Sequence, residues 1–354
     1  MGALAVTVWT YALAVPEPTD VLPTRIEDGA PLRGSAPAVT LAAHLGAPLL
    51  RGNEIDLLVN GEEIFPPMLA SIRGARESVD LLSYIYWTGD VARQFADELS
   101  AAAARGVEVR VLLDAYGANQ MRPALVEQMR RAGCRVAWFH PIRWYTLRRL
   151  NNRTHRKVLV VDRQVGFTGG VGIAEEWTGD AQDADHWRDD HFRVTGPAVR
   201  YLLGAFAENW RQATGEVIAG SSTAAPVNRP STAVPANGAS TAADTQGASV
   251  VPILSAPGTS ISEVAFVYWL SLRAARQRVR IATPYFVPDS ALAAELAATA
   301  RRGVEVTLLV PGRHNDSRLV RYGSRVLYED LLQAGVRIFE YEPTMMHAKT
   351  MTVD

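Results

Sequence analysis

Apolar and polar positions follow two regular series along the chain, one from about residue 54 to 215 and one from about 255 onward. Short apolar runs rich in Val, Ile and Leu predict buried strands, and Ala-rich segments with helical spacing of apolar residues predict helices. The predicted strands are 79–87, 107–114 and 134–139, then 279–285, 304–310 and 336–341. The predicted helices are 63–76, 90–105 (capped by Asp90) and 122–132, then 260–276, 289–302 and 316–334. This alternation indicates an α/β sheet with helices on its faces.

The two series also share stretches of sequence. Arg105–Val109 (RGVEV) recurs as Arg302–Val306, and Ala132–Val136 recurs in altered form as Ala334–Ile338. The offsets are 197 and 202 residues, and loops of different length explain the difference. A single shared phrase could arise by chance, but repeated matches in the same order indicate an internal duplication. An active site shared by the two halves is the expected product.

Outside the two series the pattern is irregular. Residues 2–15 are apolar but shorter than the roughly 20 residues that span a bilayer, so a membrane anchor and an apolar tail are both open interpretations. Residues 218–250 have the composition of a flexible linker. The predicted domains are a lead-in over 1–53, a first domain over 54–217, the linker, and a second domain over 251–354. Only the first series continues with a further strand, loop and helix, so we expect the second domain to be truncated.

Composition narrows the class of partner. The formal net charge is -1, which provides no overall basic field, so nucleic acid is not an expected partner. The single cysteine, Cys134, excludes an intramolecular disulfide framework, and no Cys/His group has zinc-ligand spacing. The stretch 143–157 holds six basic residues together with Trp144 and Tyr145. An anionic membrane surface, a solvated loop and single-stranded nucleic acid would each account for it.

One short pattern, H-x-K-x4-D, occurs twice. Its two copies are His155, Lys157 and Asp162, and His347, Lys349 and Asp354. Of the 36 basic residues 34 are arginine, so the only two lysines of the chain both stand in this pattern. The restriction of lysine to these two equivalent positions indicates that the chemistry of the motif requires lysine.

The spacing suggests what that need is. Residues i and i+2 of a strand share a face, so each histidine projects together with its lysine. Two such strands side by side would bring both pairs to one phosphate. Lysine offers a compact charge to phosphoryl oxygens, and histidine can attack or donate a proton near neutral pH. The two aspartates have the opposite parity, so we expect them to form structural pairs.

Glycines follow the first motif in the stretch G-F-T-G-G, residues 166–170. Gly169 and Gly170 would let the backbone approach an anion closely, which makes them candidate phosphate-binding residues. A tight turn after a strand is the alternative. Tyr84 and Tyr285 end equivalent predicted strands and are candidates to line the site, with core packing as the alternative.

On these residues the chain resembles the phospholipase D superfamily, and within it the bacterial cardiolipin synthases. The likeness lies in the paired motifs, the G-F-T-G-G stretch, the segment Trp187–Arg193 (WRDDHFR) and residues 283–289 (TPYFVPD). The resemblance implies two duplicated α/β sandwich domains related by a pseudo-two-fold, with the active site at their interface. It also implies a phosphohistidine intermediate without a metal or other cofactor.

The resemblance further implies roles for individual residues. His155 would be the nucleophile, His347 the general acid, and Asp189 the acidic residue that orients one histidine. Many members carry Asn where this chain has Gly172, so a hydrogen bond expected from that side chain must come from elsewhere. The expected catalytic set is His155, Lys157, Asp162, His347, Lys349, Asp354 and Asp189.

The function implied is that of a phosphatidyltransferase acting on phosphatidylglycerol. The expected partners are a phospholipid substrate and an anionic membrane surface, and the expected location is the bacterial inner membrane, cytoplasmic or peripheral. Two alternatives stay open. One is a phospholipase D or metal-independent nuclease that hydrolyses a phosphodiester, and the other is an inactive membrane-binding homologue.

Overall fold

The computed structural model describes residues 32–141, 153–219, 247–254 and 261–354. The helices of the first half are α1 (Ala36–His44), α2 (Asn60–Gly74), α3 (Asp90–Ala104), α4 (Pro123–Arg131) and α5 (Val199–Thr214). Its strands are β1 (Leu50–Val59), β2 (Ser78–Ser83), β3 (Glu108–Asp114), β4 (Arg135–Phe139), β5 (Val158–Val161), β6 (Val165–Gly169), β7 (Asp190–Thr195) and β8 (Ala248–Val250).

The second half repeats the alternation of helices and strands. Its helices are α6 (Ile261–Ala274), α7 (Ser290–Arg301), α8 (Arg318–Arg325) and α9 (Tyr328–Gln333). Its strands are β9 (Arg278–Ala282), β10 (Glu305–Pro311), β11 (Arg337–Tyr341) and β12 (Thr350–Val353).

The strands form two sheets that share one arrangement. The first has the order β4-β3-β2-β5-β6-β7-β1-β8, and the second has the order β11-β10-β9-β12. In the first sheet β2, β3 and β4 are parallel and β5 runs antiparallel to β2. In the second, β9, β10 and β11 are parallel and β12 runs antiparallel to β9. Four strands therefore match in order and direction, which confirms the predicted duplication.

Helices cover both faces of the first sheet. Strand β2 is buried along its whole length. Its Leu81 packs in a layer with Ile64 of α2 and Phe95 of α3, whereas its Leu82 packs with Phe206 of α5. Because successive side chains of a strand point to opposite faces, an unbroken apolar run is what a strand buried on both sides requires. This arrangement confirms the predicted α/β sandwich.

The structure corrects several predicted boundaries in the first half. The lead-in contains helix α1, whose His44 ring lies 5.2 Å from the ring of Phe266 on α6. Strand β8 lies inside the predicted linker and pairs with β1. The strand predicted over 79–87 ends at Ser83. The N-cap residue of α3 is Gly89, and not Asp90, whose N–H binds the carboxylate of Glu175.

The helix predicted over 316–334 is also wrong in extent, because it is two helices, α8 and α9. Gly323 and Ser324 stand near the end of α8, and such pairs favour a break in a helix. Glu340 on β11 holds α8 in place, because its carboxylate binds the guanidinium groups of Arg321 and Arg325. The break therefore allows arginines of α8 to bind Glu340 while Leu331 of α9 packs in the core.

Three predicted segments fall wholly or largely outside the described residues. They are the apolar run 2–15, the greater part of the basic stretch 143–157 and most of the predicted linker 218–250. In the described ranges, no helix combines the length and the apolar character needed to cross a membrane.

Candidate active site

His155 and Lys157 lie in an extended segment that leads into β5. Lys157 Nζ is 3.4 Å from His155 Nδ1 and donates to the His155 carbonyl oxygen at 3.1 Å. The Tyr84 ring packs on His155 with 4.6 Å between centroids. Thr154 N–H donates to Asp114 Oδ2 at 3.2 Å, which ties the segment to the end of β3. The pair therefore has a fixed position inside the sheet, near the start of β5 and the end of β3.

The second motif repeats this local geometry. Lys349 Nζ donates to the His347 carbonyl oxygen at 3.0 Å, and Tyr285 lies 6.4 Å from the His347 ring. Each lysine folds back toward its own histidine. The motif residues precede the strands instead of lying within them, since β5 begins at Val158 and β12 at Thr350.

His347 meets Asp189 across the boundary between the halves. Its Nδ1 is 2.7 Å from Asp189 Oδ2, and both side chains are buried. An ionised carboxylate only accepts hydrogen bonds, so we assign the proton to Nδ1. Nε2 then faces Lys349 Nζ at 3.0 Å. Backbone bonds from Arg188 N to Met345 O and from His347 N to Arg188 O hold the two segments together.

The two histidines differ in electrostatic surroundings. Burial, reinforced by the charges of Lys157, Lys349 and His347, lowers the pKa of His155 to about 3. Burial also lowers the pKa of His347, but the hydrogen bond and charge of Asp189 oppose that shift. Among the described residues, no carboxylate forms a hydrogen bond or ion pair with His155. His155 is thus a neutral ring beside Lys157, and His347 is the ring that a carboxylate helps to protonate.

The two ammonium groups face the same site, where Lys157 is buried and Lys349 is partly exposed. Burial, with the charge of Lys349, lowers the pKa of Lys157 to about 7, although Asp189 and Asp114 oppose the shift. Burial lowers the pKa of Lys349 to about 8, opposed by Asp189 and Asp316. Two partly desolvated cations close together favour a bound anion, because the anion offsets their mutual repulsion and part of their desolvation cost. The site is therefore suited to a phosphoryl group.

Asp162 and Asp354 bind backbone at the far ends of the motif strands. Asp162 accepts hydrogen bonds from three successive N–H groups, those of Arg76, Glu77 and Ser78. Asp354 accepts from the equivalent groups, those of Arg276, Gln277 and Arg278. The geometry gives both aspartates the same structural contact, which agrees with their strand parity and places their carboxylates on the backbone.

Within the described residues, no cluster of His, Cys, Asp and Glu side chains has the arrangement to hold a metal ion.

Comparison with known proteins gives the family. The sequence profile described as "Cardiolipin synthase, PLD-like domain" matches residues 68–187 and 270–354, one segment in each half. The chain belongs to this family. Relatives include cardiolipin synthase of Geobacillus kaustophilus, 32% identical over 90% of this chain and 61% of the relative. Cardiolipin synthase A of Pseudomonas fluorescens is 34% identical over 93% of this chain and 66% of the relative.

The chain spans about 60% of the length of the first of these curated relatives. Among solved structures, phosphatidylserine synthase of Haemophilus influenzae superposes with a TM-score of 0.57 at 15% identity. That match covers 90% of this chain and 80% of the synthase. It shows a shared phospholipase D-type fold.

The glycines after the first motif make room for side chains of the site. A Cβ at Gly170 would lie 2.1 Å from Asp189 Oδ1, and one at Gly169 would lie 2.6 Å from His191 Nδ1. Gly170 N–H already donates to Asp190 O at 3.0 Å. Close packing therefore explains these glycines, and their predicted contact with phosphate stays a prediction.

Gly172 marks a departure from the pattern of many members of the cardiolipin synthase family. A Cβ at this position would lie 2.8 Å from Ile85 Cβ and 3.0 Å from Trp177 Cζ3. Ile85 and Trp177 thus occupy the space next to the residue, and an Asn side chain would not fit without rearrangement.

Sequence reasoning missed Trp177, which donates from Nε1 to Asp189 Oδ2 at 2.8 Å. It also missed Asp114 and its bond to Thr154. Both contacts join residues that are distant in sequence from the motifs they serve. The only available sign of Trp177 is that Trp177 and Trp187 flank the segment that leads to Asp189.

Proposed function

We propose that this chain carries the catalytic centre of a cardiolipin synthase, which transfers a phosphatidyl group from one phosphatidylglycerol to another. The observation that carries the proposal is the unlike pair of histidines in one lysine-lined site. One ring is neutral without a carboxylate partner, and the other is held by Asp189 at 2.7 Å. The names of the relatives support the choice of lipid substrate.

In the first step a ring nitrogen of His155 attacks the phosphorus of phosphatidylglycerol. The nitrogen–phosphorus bond forms as the bond from phosphorus to the glycerol oxygen breaks. His347 gives its Nε2 proton to that oxygen, and glycerol leaves. Lys157 and Lys349 neutralise the non-bridging oxygens, whose charge grows in the transition state. Asp189 stabilises the protonated ring of His347 before the transfer.

In the second step a hydroxyl group of another phosphatidylglycerol attacks the phosphohistidine. His347, now neutral, accepts the hydroxyl proton, and the nitrogen–phosphorus bond of His155 breaks. The products are cardiolipin and free enzyme. Exclusion of water favours this acceptor over hydrolysis, because water would yield phosphatidic acid from the same intermediate.

The lipid substrate implies that the enzyme works at a membrane surface. We propose the anionic surface of the bacterial inner membrane as its location. The basic stretch 143–157 carries the charge that such a surface attracts.

The test is incubation of the chain with phosphatidylglycerol vesicles, with and without EDTA, followed by lipid mass spectrometry. Equal amounts of cardiolipin and glycerol are expected in both conditions. Phosphatidic acid without cardiolipin would replace the transferase by a phospholipase D, and activity lost with EDTA would contradict a metal-independent mechanism.

Variants test the roles of the histidines. His155→Ala should abolish turnover and the acid-labile phosphate on the peptide that contains residue 155. His347→Ala should slow turnover by about 10³-fold, since general acid catalysis contributes on that order. His44→Ala is the matched control, because its ring packs on Phe266 outside the site. Normal turnover by the His155→Ala variant would refute the covalent step.

A further inference from the structure

Trp177 shares an acceptor atom with His347. Its Nε1–H donates to Asp189 Oδ2 at 2.8 Å, and His347 Nδ1 lies 2.7 Å from that same oxygen. The other oxygen of Asp189 accepts from the N–H of Asp190 at 2.8 Å. The first half of the molecule thus holds the carboxylate at both oxygens before His347 of the second half is added.

The position of Trp177 is itself fixed by close packing. The indole is 1% exposed and ends the short 3₁₀ turn Glu175–Trp177. A side chain at Gly61 would come within 2.2 Å of the Trp177 carbonyl oxygen, so backbone contacts backbone there. The indole edge also meets the His347 ring, with 5.5 Å between centroids and 79° between planes. The indole therefore cannot change its rotamer without disturbing the surrounding core.

An N–H group on a carboxylate oxygen has two effects on a histidine bound to that oxygen. It fixes the carboxylate plane, and so the direction in which the imidazole N–H must point. It also takes a share of the negative charge, so the oxygen attracts the imidazolium proton less strongly. Orienting partners behind a ligand or catalytic group commonly act in this way.

We propose that Trp177 is a positioning residue of the phosphatidyl transfer, which sets through Asp189 the orientation of the His347 imidazole and the strength with which that ring holds its proton. The inference rests on the proposed role of His347 as general acid. Trp177 itself does not touch the substrate.

The chain offers a matched control in Trp187. Its ring also packs beside His347, with 5.8 Å between centroids, and beside Trp177 at 4.6 Å. The structure gives Trp187 no hydrogen bond to Asp189, whose carboxylate contacts are those of Trp177, His347 and Asp190. Loss of aromatic packing alone should therefore have the same effect at both tryptophans.

The test replaces Trp177 by 3-benzothienylalanine, which keeps the ring shape and lacks the N–H, and compares it with Trp177→Phe. The same two replacements are made at residue 187. With phosphatidylglycerol vesicles, both changes at 177 should lower kcat about tenfold, with KM within about twofold, since one lost orienting bond corresponds to that order. The basic limb of the kcat profile should move up by about one pH unit, because His347 holds its proton more tightly.

A second readout does not depend on turnover. Titration of the His347 ring by ¹⁵N NMR, in the chain without lipid, should show a pKa higher than in the unchanged protein for the benzothienylalanine form at 177. The same replacement at 187 should leave the titration unchanged. This result would stand even if the lipid assay gave hydrolysis instead of transfer, so the two proposals fail separately.

The inference is overturned if the benzothienylalanine form at 177 keeps both the pH profile and the His347 titration of the unchanged protein. It is also overturned if the changes at 177 and 187 shift them equally, since packing would then explain the effect. Thermal unfolding of each variant shows which forms retain the fold, and the isosteric replacement avoids the cavity that Phe leaves.

Discussion

Asp189 connects the two halves at the proposed active site, and its surroundings determine its charge. The side chain is fully buried, a position that by itself raises the pKa of a carboxyl group. The hydrogen bond and charge of His347, helped by Lys349 and Trp177, outweigh burial and lower the pKa of Asp189 below its usual value. The residue is therefore ionised at neutral pH, which is the form that stabilises a protonated His347.

Replacement of Asp189 by asparagine separates the effect of its charge from the effect of its shape. Asp189→Asn keeps the shape but removes the charge, and its amide can force His347 into the wrong tautomer. We expect kcat to fall by about 10²- to 10⁴-fold, as for other carboxylates that orient a catalytic histidine. Steady-state kinetics on lipid vesicles measures this, with Asp183→Asn at an exposed His186 contact as control. An activity within threefold of the unchanged protein would exclude the orienting role.

The glycine beside Asp189 provides a second prediction at this scale. Gly170→Ala would place a methyl group 2.1 Å from Asp189 Oδ1, so the carboxylate must move. We expect a loss of about 10-fold or more in kcat, because a small misplacement of a catalytic group is costly. Gly204→Ala on α5 is the control, since a Cβ there meets nothing within 4 Å. It should be neutral or stabilise the helix by up to about 1 kcal/mol.

His191 is a buried histidine whose ring nitrogens have no hydrogen-bond partner among the described residues. Burial lowers its pKa to about 4. Below about pH 6.5 the unfolded chain binds a proton that the native ring refuses, so stability falls as the pH drops from there through 4. His191→Leu should remove this loss, which is up to about 3 kcal/mol. Urea unfolding of both proteins at pH 7 and pH 4.5 measures this loss. If the free energy of unfolding falls between the two pH values by the same amount in both proteins, the prediction is refuted.

At the scale of elements, each motif consists of a short strand with functional residues before it and a structural aspartate after it. The histidine and lysine precede the strand and enter the site, and the aspartate that ends it binds the turn before the neighbouring strand. Four residues of strand separate the two tasks in each half, which accounts for the spacing between lysine and aspartate in both copies. The motif thus links catalytic geometry to the pairing of β5 with β2 and of β12 with β9.

This link predicts separate effects for the motif residues. Asp162→Ala leaves three backbone N–H groups without their acceptor and should lower the free energy of unfolding by about 2 to 3 kcal/mol. We expect kcat of the folded fraction to stay within about threefold, since the carboxylate binds backbone. Asp56→Ala, at a surface contact with Arg193, should cost less than about 1 kcal/mol. A large fall in kcat at unchanged stability would instead place Asp162 in the catalytic machinery.

At the scale of the whole molecule, the two halves meet at the proposed active site. The segment of Thr344–His347 lies along the segment of His186–Asp189, joined by backbone bonds and by Thr344 Oγ1 to the His186 carbonyl oxygen at 2.8 Å. The site therefore needs both halves docked, and docking brings its two lysines close together with a cost in charge repulsion and desolvation.

Binding of an anion should offset the charge repulsion between the two lysines, and the size of this effect should depend on pH. Lys157 and Lys349 have lowered pKa values of about 7 and 8, so both are mostly protonated at pH 6 and mostly neutral at pH 9. Inorganic phosphate should therefore raise the unfolding temperature at pH 6 by several degrees and hardly at all at pH 9. Differential scanning calorimetry checks this, with Lys157→Met as the variant that should lose most of the effect. An equal rise at both pH values would mean that phosphate binds elsewhere.

Local sequence predicted most elements and both motif pairs. The apolar runs of β2, β3 and β10 and the helical spacing of α3 and α7 are short-range patterns, and the structure follows them to within a few residues. The predicted boundaries were wrong where contacts between distant segments determine where an element begins or ends. Strand β8 forms by pairing with β1, and α8, which ends before α9 begins, is held to β11 through the bond from Arg325 to Glu340. Neither cause is visible in a window of local sequence.

By itself the sequence determined the duplication, the α/β class and the presence of two His–Lys pairs, because periodicity and repeated spacing are properties of neighbouring residues. Only the tertiary structure decided which histidine receives the carboxylate. Asp189 lies 34 positions after His155 along the chain, yet it binds His347, 158 positions away. Packing of the two halves sets that choice and brings in Trp177, because contacts between distant segments follow from how the sheets dock.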